Sequence, residues 1–397
     1  MLKIDTAQTV PRFALFQLGF RPFFAAAGLF GVIAIGLWML EYVFHIPLNP
    51  HALPPTIWHA HQMLYGYTLA VVAGFLLTAV GNWTGVTSFK GLPLGLLLLL
   101  WLIARVAIYL PDQGIRIAAL ADGLFLLGLF VGVVYPVFRS RQWKQVGILS
   151  KIALLMICNG LFYAGALGSL EHGMHWGLYG GLYLVLALVF MMARRVMPFF
   201  IERGVEEPFQ PRNRRWLDIA SLFLVLAWAV LEVFTQYLQA IAWLSLILFC
   251  LHALRLYDWH TPGIWRRPLL WSLYLGYALL VAGFALRTLS VWGGVSPLIA
   301  LHAFAYGGIG MITLGMMSRV ALGHTGRDVF APPAALGPIF ALLAAGALCR
   351  VLLPLLDMSH YLWWIALSQL AWMGAFAGFS LIYIPMLGLP RADGRPG

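Results

Sequence analysis

WHAHQMLYGYTLAVVAGFLLTAVGNWTG, residues 58–85, opens on two histidines and continues as an apolar run long enough to cross a bilayer. The rest of the chain is built the same way. Its 397 residues are 62% hydrophobic and 10% charged, with 41 Gly and 16 Trp, and the mean hydropathy is +0.87. No soluble domain hides that much apolar surface, whereas a helical membrane protein displays it to lipid. The class is therefore all-α and polytopic.

Twelve spans are expected, at 22–44, 59–80, 91–110, 116–138, 148–168, 175–194, 216–234, 238–256, 269–289, 297–319, 333–353 and 361–385. Each span with its connection has roughly 33 residues, enough for about 20 of helix and a short loop. That leaves no room for a soluble domain. The expectation is one integral membrane domain over 1–397, with cytoplasmic segments 1–21 and 386–397 flanking a bundle at 22–385.

The net charge of +11 is distributed by side rather than by patch. Positive residues collect in alternate connections: Lys3, Arg12 and Arg21; Arg139, Arg141, Lys144 and Lys151; Arg194 to Arg215; Arg255 to Arg267; Arg319 and Arg327; Arg391 and Arg395. The stretches 45–58, 235–237 and 290–296 have no Lys or Arg. This pattern places both termini in the cytoplasm. It also accounts for the basic balance without nucleic acid. The first 21 residues carry three positive charges but no hydrophobic core of a cleavable signal.

With that orientation, His45, His51, His59, His61, His172, His175, His302 and His360 fall at the outer ends, against His252, His260 and His324 on the inner side. Imidazole is costly in hydrocarbon and is the commonest metal ligand, so the one-sided cluster points to bound haem or metal. His59 and His61, two apart, point about 200° from each other on a helix and cannot chelate one ion. His172 and His175, three apart, can share a face and are the better pair for a copper-type site.

An internal repeat relates these helices. Helix two (His59-Ala60-His61, Gly66, Gly74) resembles helix ten (His302-Ala303, Gly307, Gly310), and helix six begins near His175 and carries Gly180-Gly181. The steps from His59 to His302 and from Arg105 to Arg350 are 243 and 245 residues. The reading is three units of four helices, with helices two, six and ten equivalent about a pseudo-axis. Their glycines, Gly308 included, permit close helix approach or leave space for a flat macrocycle.

Arg105, Arg287 and Arg350 lie near outer helix ends, on the side normally poor in arginine. A buried fork needs an anion. Haem propionates are one source; Glu41, Asp112, Asp122, Glu171, Glu232 and Asp357 are the rivals within the chain. Cys158, Cys250 and Cys349 read as separate buried hydrophobes, and the Met191-Met192 and Met316-Met317 pairs as packing.

The stretch Trp58–Tyr67, with Val72–Val80 and Asn82–Gly85 after it, resembles the signature of the NnrS family. The Leu18–Phe24 entry, the Met191–Pro198 segment and His302-Ala303 fit it too. The resemblance implies a bacterial inner-membrane protein containing haem and copper, associated with denitrification and the response to nitric oxide. At the level of fold, the chain also resembles the haem-copper oxidase and nitric oxide reductase catalytic subunit, whose haem histidines lie on helices two and ten. Helix seven, however, has no histidine, and helix ten has one where two are expected, so an oxidase-type binuclear centre is not implied.

Together these readings give a membrane haem protein, b-type by expectation, that handles nitric oxide. His302 and one of His59 and His61 would be axial ligands. His175, with or without His172, would face a second metal, and Arg105, Arg287 or Arg350 would meet propionates. Turnover would use quinol-derived electrons. The rival reading is a twelve-helix small-molecule transporter, but four-helix units lie parallel rather than inverted, and the histidines sit away from the midplane.

Overall fold

The computed structural model describes residues 13–48 and 53–395. His51, Lys3 and Arg12, used in the reading above, lie outside the described residues. Twelve helical spans are present: α1 Phe20–Tyr42, α2 Pro55–Thr84, α3 Leu92–Ala107, α4 Gly114–Arg139, α5 Trp143–Ala166, α6 Gly173–Gly204, α7 Arg215–Phe234, α8 Leu238–Trp259, α9 Pro268–Trp292, α10 Pro297–His324, α11 Leu336–Leu356 and α12 Tyr361–Gly388. Eleven are long and apolar enough to cross a bilayer; α3 is the short one. Among the described residues there is no strand.

Local chemistry sets several ends. Pro55, Pro268 and Pro297 sit in first turns, where their missing N–H costs nothing. Gly85 closes α2 at φ 69°, a left-handed position that glycine takes without penalty. The expected bounds hold to within a few residues, except that α6 runs ten residues further, to Gly204, before Val205 turns extended.

Sequence neighbours pack side by side, and α1 lies against α12 to close the ring. At the centre α2, α6 and α10 touch pairwise, as the repeat requires. Burial follows: 78% and 72% of the apolar windows of α2 and α10 are buried, against 28% for α7. The outer helices are the more exposed, yet several of them send buried polar residues inward, among them Arg105 of α3, Asp122 of α4 and His252 of α8.

Two features depart from the sequence reading. First, α2 and α10 each widen into π-helix immediately after a histidine, over Gln62–Thr68 and Ala303–Gly310. Thr68 Oγ1 donates to Met63 O, five residues back, at 2.8 Å. Such turns are rare and cluster at functional sites. The α6 helix has none, so two of the three units share this device. Second, the glycines are met by side chains of neighbouring helices. A Cβ on Gly66 would lie 2.5 Å from Phe30, one on Gly74 would meet Phe24 at 2.8 Å, and one on Gly308 would strike Leu280. They allow close packing of neighbouring side chains.

Arg21 is a further correction. It was counted with the topogenic charges, yet it is fully buried and donates Nη1 to Leu387 O at 2.9 Å and to Leu389 O at 2.7 Å. It satisfies carbonyls at the end of α12 and ties that end to α1.

Candidate functional site

Three interfaces between the central helices each bring a histidine and an arginine to the outer rim. At the first, α10 enters through Pro297, and one turn later the His302 ring folds back along the helix. Its Nδ1–H donates to Leu298 O at 2.7 Å, which leaves the Nε2 lone pair facing inward. Arg350 Nη2, on α11, donates to that Nε2 at 2.8 Å, and its Nη1 reaches Tyr361 Oη at 3.3 Å. Among the described residues no carboxylate lies within ion-pair distance of Arg350. His59 belongs to the same group, close enough to His302 and Arg350 to interact electrostatically. Its ring lies flat on Trp38 of α1, 4.6 Å between centroids at 11°, and its buried Nδ1 has no hydrogen-bond partner.

His61 is turned to the second interface. It is fully buried and stacks on Phe162 of α5, 4.1 Å between centroids at 24°. Asp122 of α4 grips Arg105 of α3 with both carboxylate oxygens and accepts from Tyr163 Oη at 2.7 Å. Arg105 Nη1 donates to Gln62 Oε1 at 2.8 Å. His61 Nε2 is 3.9 Å from Asp122, too far for a hydrogen bond. Both His61 nitrogens, Gln62 Nε2, Arg105 Nε and Asn159 Nδ2 are buried without partners. Unpaired buried donors are costly, so this network is less fully satisfied than its Arg105–Asp122 ion pair suggests.

At the third interface Arg287 of α9 holds Glu232 of α7 through Nε at 2.5 Å and Nη2 at 3.1 Å. Beside them the His175 ring packs at a tilt against Tyr179, 4.6 Å between centroids, and both line a cavity of about 190 Å³. The cavity floor is aromatic, with Tyr183 and Phe304. His172, at the cap of α6, is exposed and lies against Trp176. The last turns of α3, α7 and α11 thus carry Arg105, Glu232 and Arg350: one unit has reversed the sign.

Of the predicted residues, then, the structure brings together His59, His302 and Arg350, separately His61 with Arg105, and separately His175 with Arg287. His172 stands apart. Among the described residues, no three His, Cys, Asp or Glu side chains converge as a metal-ligand set. The three cysteines are free. Elsewhere on the rim, His360 bonds Asp357 Oδ2 at 2.7 Å.

Several participants were missed. Gln62 and Tyr163 carry no charge and gave no signal within apolar runs, and Trp38 looks like any other membrane tryptophan. On the inner side His252 hydrogen-bonds Tyr277 Oη at 2.6 Å, and Arg255 joins them to Asp218 at 2.9 Å. The His252/Arg255 spacing, one helical turn, was the available clue.

Compared with known proteins, the chain matches the family described as NnrS protein over residues 14–391. No curated protein matches it.

Proposed function

Since the chain belongs to the NnrS family, we propose that it is a bacterial inner-membrane haem protein of the nitric oxide response, in which His59 and His302 would hold the haem. The observation that carries this reading is the tautomer of His302. Its Nδ1–H is spent on Leu298 O, so Nε2 is the basic nitrogen of the ring, and its one partner is the Arg350 guanidinium, in an interface that also holds His59.

The residues present fit such a group. His59 Nδ1 is buried and unpartnered, and Trp38 holds its ring in one orientation. His61 is turned to α4 and α5, which favours His59 as the partner of His302. Arg350, whose fork meets only an imidazole and a phenol, is the guanidinium that would meet a propionate. Arg105 and Arg287 are less suited to that role, since Asp122 and Glu232 already occupy them. A b-type haem would supply iron able to bind nitric oxide and to change valence by one electron. Nitric oxide is small and apolar enough to arrive through lipid, and quinol is the proposed electron source for turnover. For copper the fit is poor: His172 and His175 are exposed, each against an aromatic ring of its own helix.

The test is an absorption spectrum of the detergent-purified protein. A Soret band that shifts with nitric oxide is expected. His302→Ala should lose most of the haem and His260→Ala should keep it, because His260 lies on the inner side against Trp265. Equal haem in both variants removes the axial pair, and a colourless wild type revives the transporter.

A further inference from the structure

A second cavity lies at the opposite rim. It measures about 290 Å³ and opens between the end of α6, the start of α9 and the connection from α10 to α11. Three guanidinium groups line it: Arg266, Arg267 and Arg319. The charge pattern puts this rim in the cytoplasm.

The three are not equally satisfied. Arg267 donates to Glu206 Oε1 at 2.8 Å and to Phe330 O at 3.3 Å. Arg319 lies five residues inside the end of α10, roughly 7.5 Å along the helix axis. Its Cζ sits 4.0 Å over the Phe200 ring, and it has no hydrogen bond and no carboxylate among the described residues. Arg266, in the turn before α9, is exposed and likewise has no carboxylate. So one acid is set against three cations. A half-buried guanidinium pressed against an aromatic face, with no anion, is a charge lacking its partner. The remaining wall, with Leu270, Phe330 and Pro333, is apolar and suits an acyl-glycerol rather than bulk water.

We propose that this cavity is a binding site for a phosphate group, with Arg319 and Arg266 as its ligands and an anionic phospholipid of the cytoplasmic leaflet as the bearer. Guanidinium forks match phosphate oxygens in pairs, and a phosphodiester carries one charge to offset the surplus. Basic pockets between helices at this depth are suited to anionic headgroups. The site is independent of the haem reading, which concerns the other rim.

The experiment is native mass spectrometry of the full-length protein released from detergent, titrated with dioleoylphosphatidylglycerol, dioleoylphosphatidylcholine or inorganic phosphate. Phosphatidylglycerol should bind at least tenfold tighter than phosphatidylcholine. Arg319→Gln should abolish that preference, and Arg266→Gln, at an exposed position that cannot compromise folding, should reduce it severalfold. Inorganic phosphate binding with the same dependence on both arginines also supports the site and assigns it to a soluble phosphate. Equal binding of the two lipids, or a preference that survives both substitutions, overturns it.

Discussion

The two interfaces served by α2 use the same pair of residue types and finish in opposite electrostatic states. Around His61 the chain neutralises itself: Arg105 is matched by Asp122, and Tyr163 and Gln62 complete the network. Around His59 it does not: Arg350 finds an imidazole and a phenol, and no carboxylate among the described residues. Because residues two apart point about 200° away from each other, one helix can serve both. The difference separates an arginine neutralised by a carboxylate of the protein from one bonded only to neutral groups.

The comparison breaks most easily at Asp122. Both partners of its ion pair are buried, at 3% and 0% side-chain exposure. Asp122→Asn strands a charged guanidinium in the bundle, and thermal unfolding in detergent should show a loss of about 3–5 kcal/mol. Replacing both partners, Arg105→Met with Asp122→Leu, should recover most of it, since a well-packed apolar pair often equals a buried ion pair. If the single and double variants are equally unstable, charge is not what the first network supplies.

Arg350→Gln tests the other side. The shorter amide gives up the bond to His302 Nε2, but the position is only half-buried and no ion pair is broken, so stability should change by about 1 kcal/mol. Haem content should nonetheless fall severalfold. A loss of stability as large as that of Asp122→Asn would make Arg350 a structural cation like Arg105, and the contrast would disappear.

The smallest effect belongs to the rim outside both interfaces. Hydrogen bonds from Ser359 and His360 lower the Asp357 carboxyl to about 2. A depressed carboxyl contributes stability that is fully present above its unfolded value near 3.8 and is lost as the pH falls through 2. The difference in thermal midpoint between the protein and Asp357→Asn should therefore shrink between pH 4 and pH 2. A difference that stays constant over that range would mean the carboxylate contributes nothing there.

Much of the scaffold was legible beforehand. Apolar length against bilayer thickness is a property of each segment alone, so all twelve spans appear, eleven of them close to their expected bounds and α6 ten residues longer. The likeness of α2 and α10 was legible too, and their shared π turns bear it out. What could not be read was pairing. Asp122 and Glu232 stood among six rival acids, and nothing local says which arginine an acid meets across 17 or 55 residues. Arg21 and Arg319 were counted as topogenic charges because a sum over loops is blind to burial.

Composition and charge distribution alone gave a twelve-helix membrane bundle with most of its basic residues toward one side and eight of its eleven imidazoles toward the other, since transfer into lipid acts on each segment separately. Only the packed structure decided that His59 and His61 serve different interfaces, that one arginine is neutralised and another is not, and that a cavity of arginines lies opposite. Those outcomes depend on which helices touch, and contact between distant segments is set by the joint packing of all twelve.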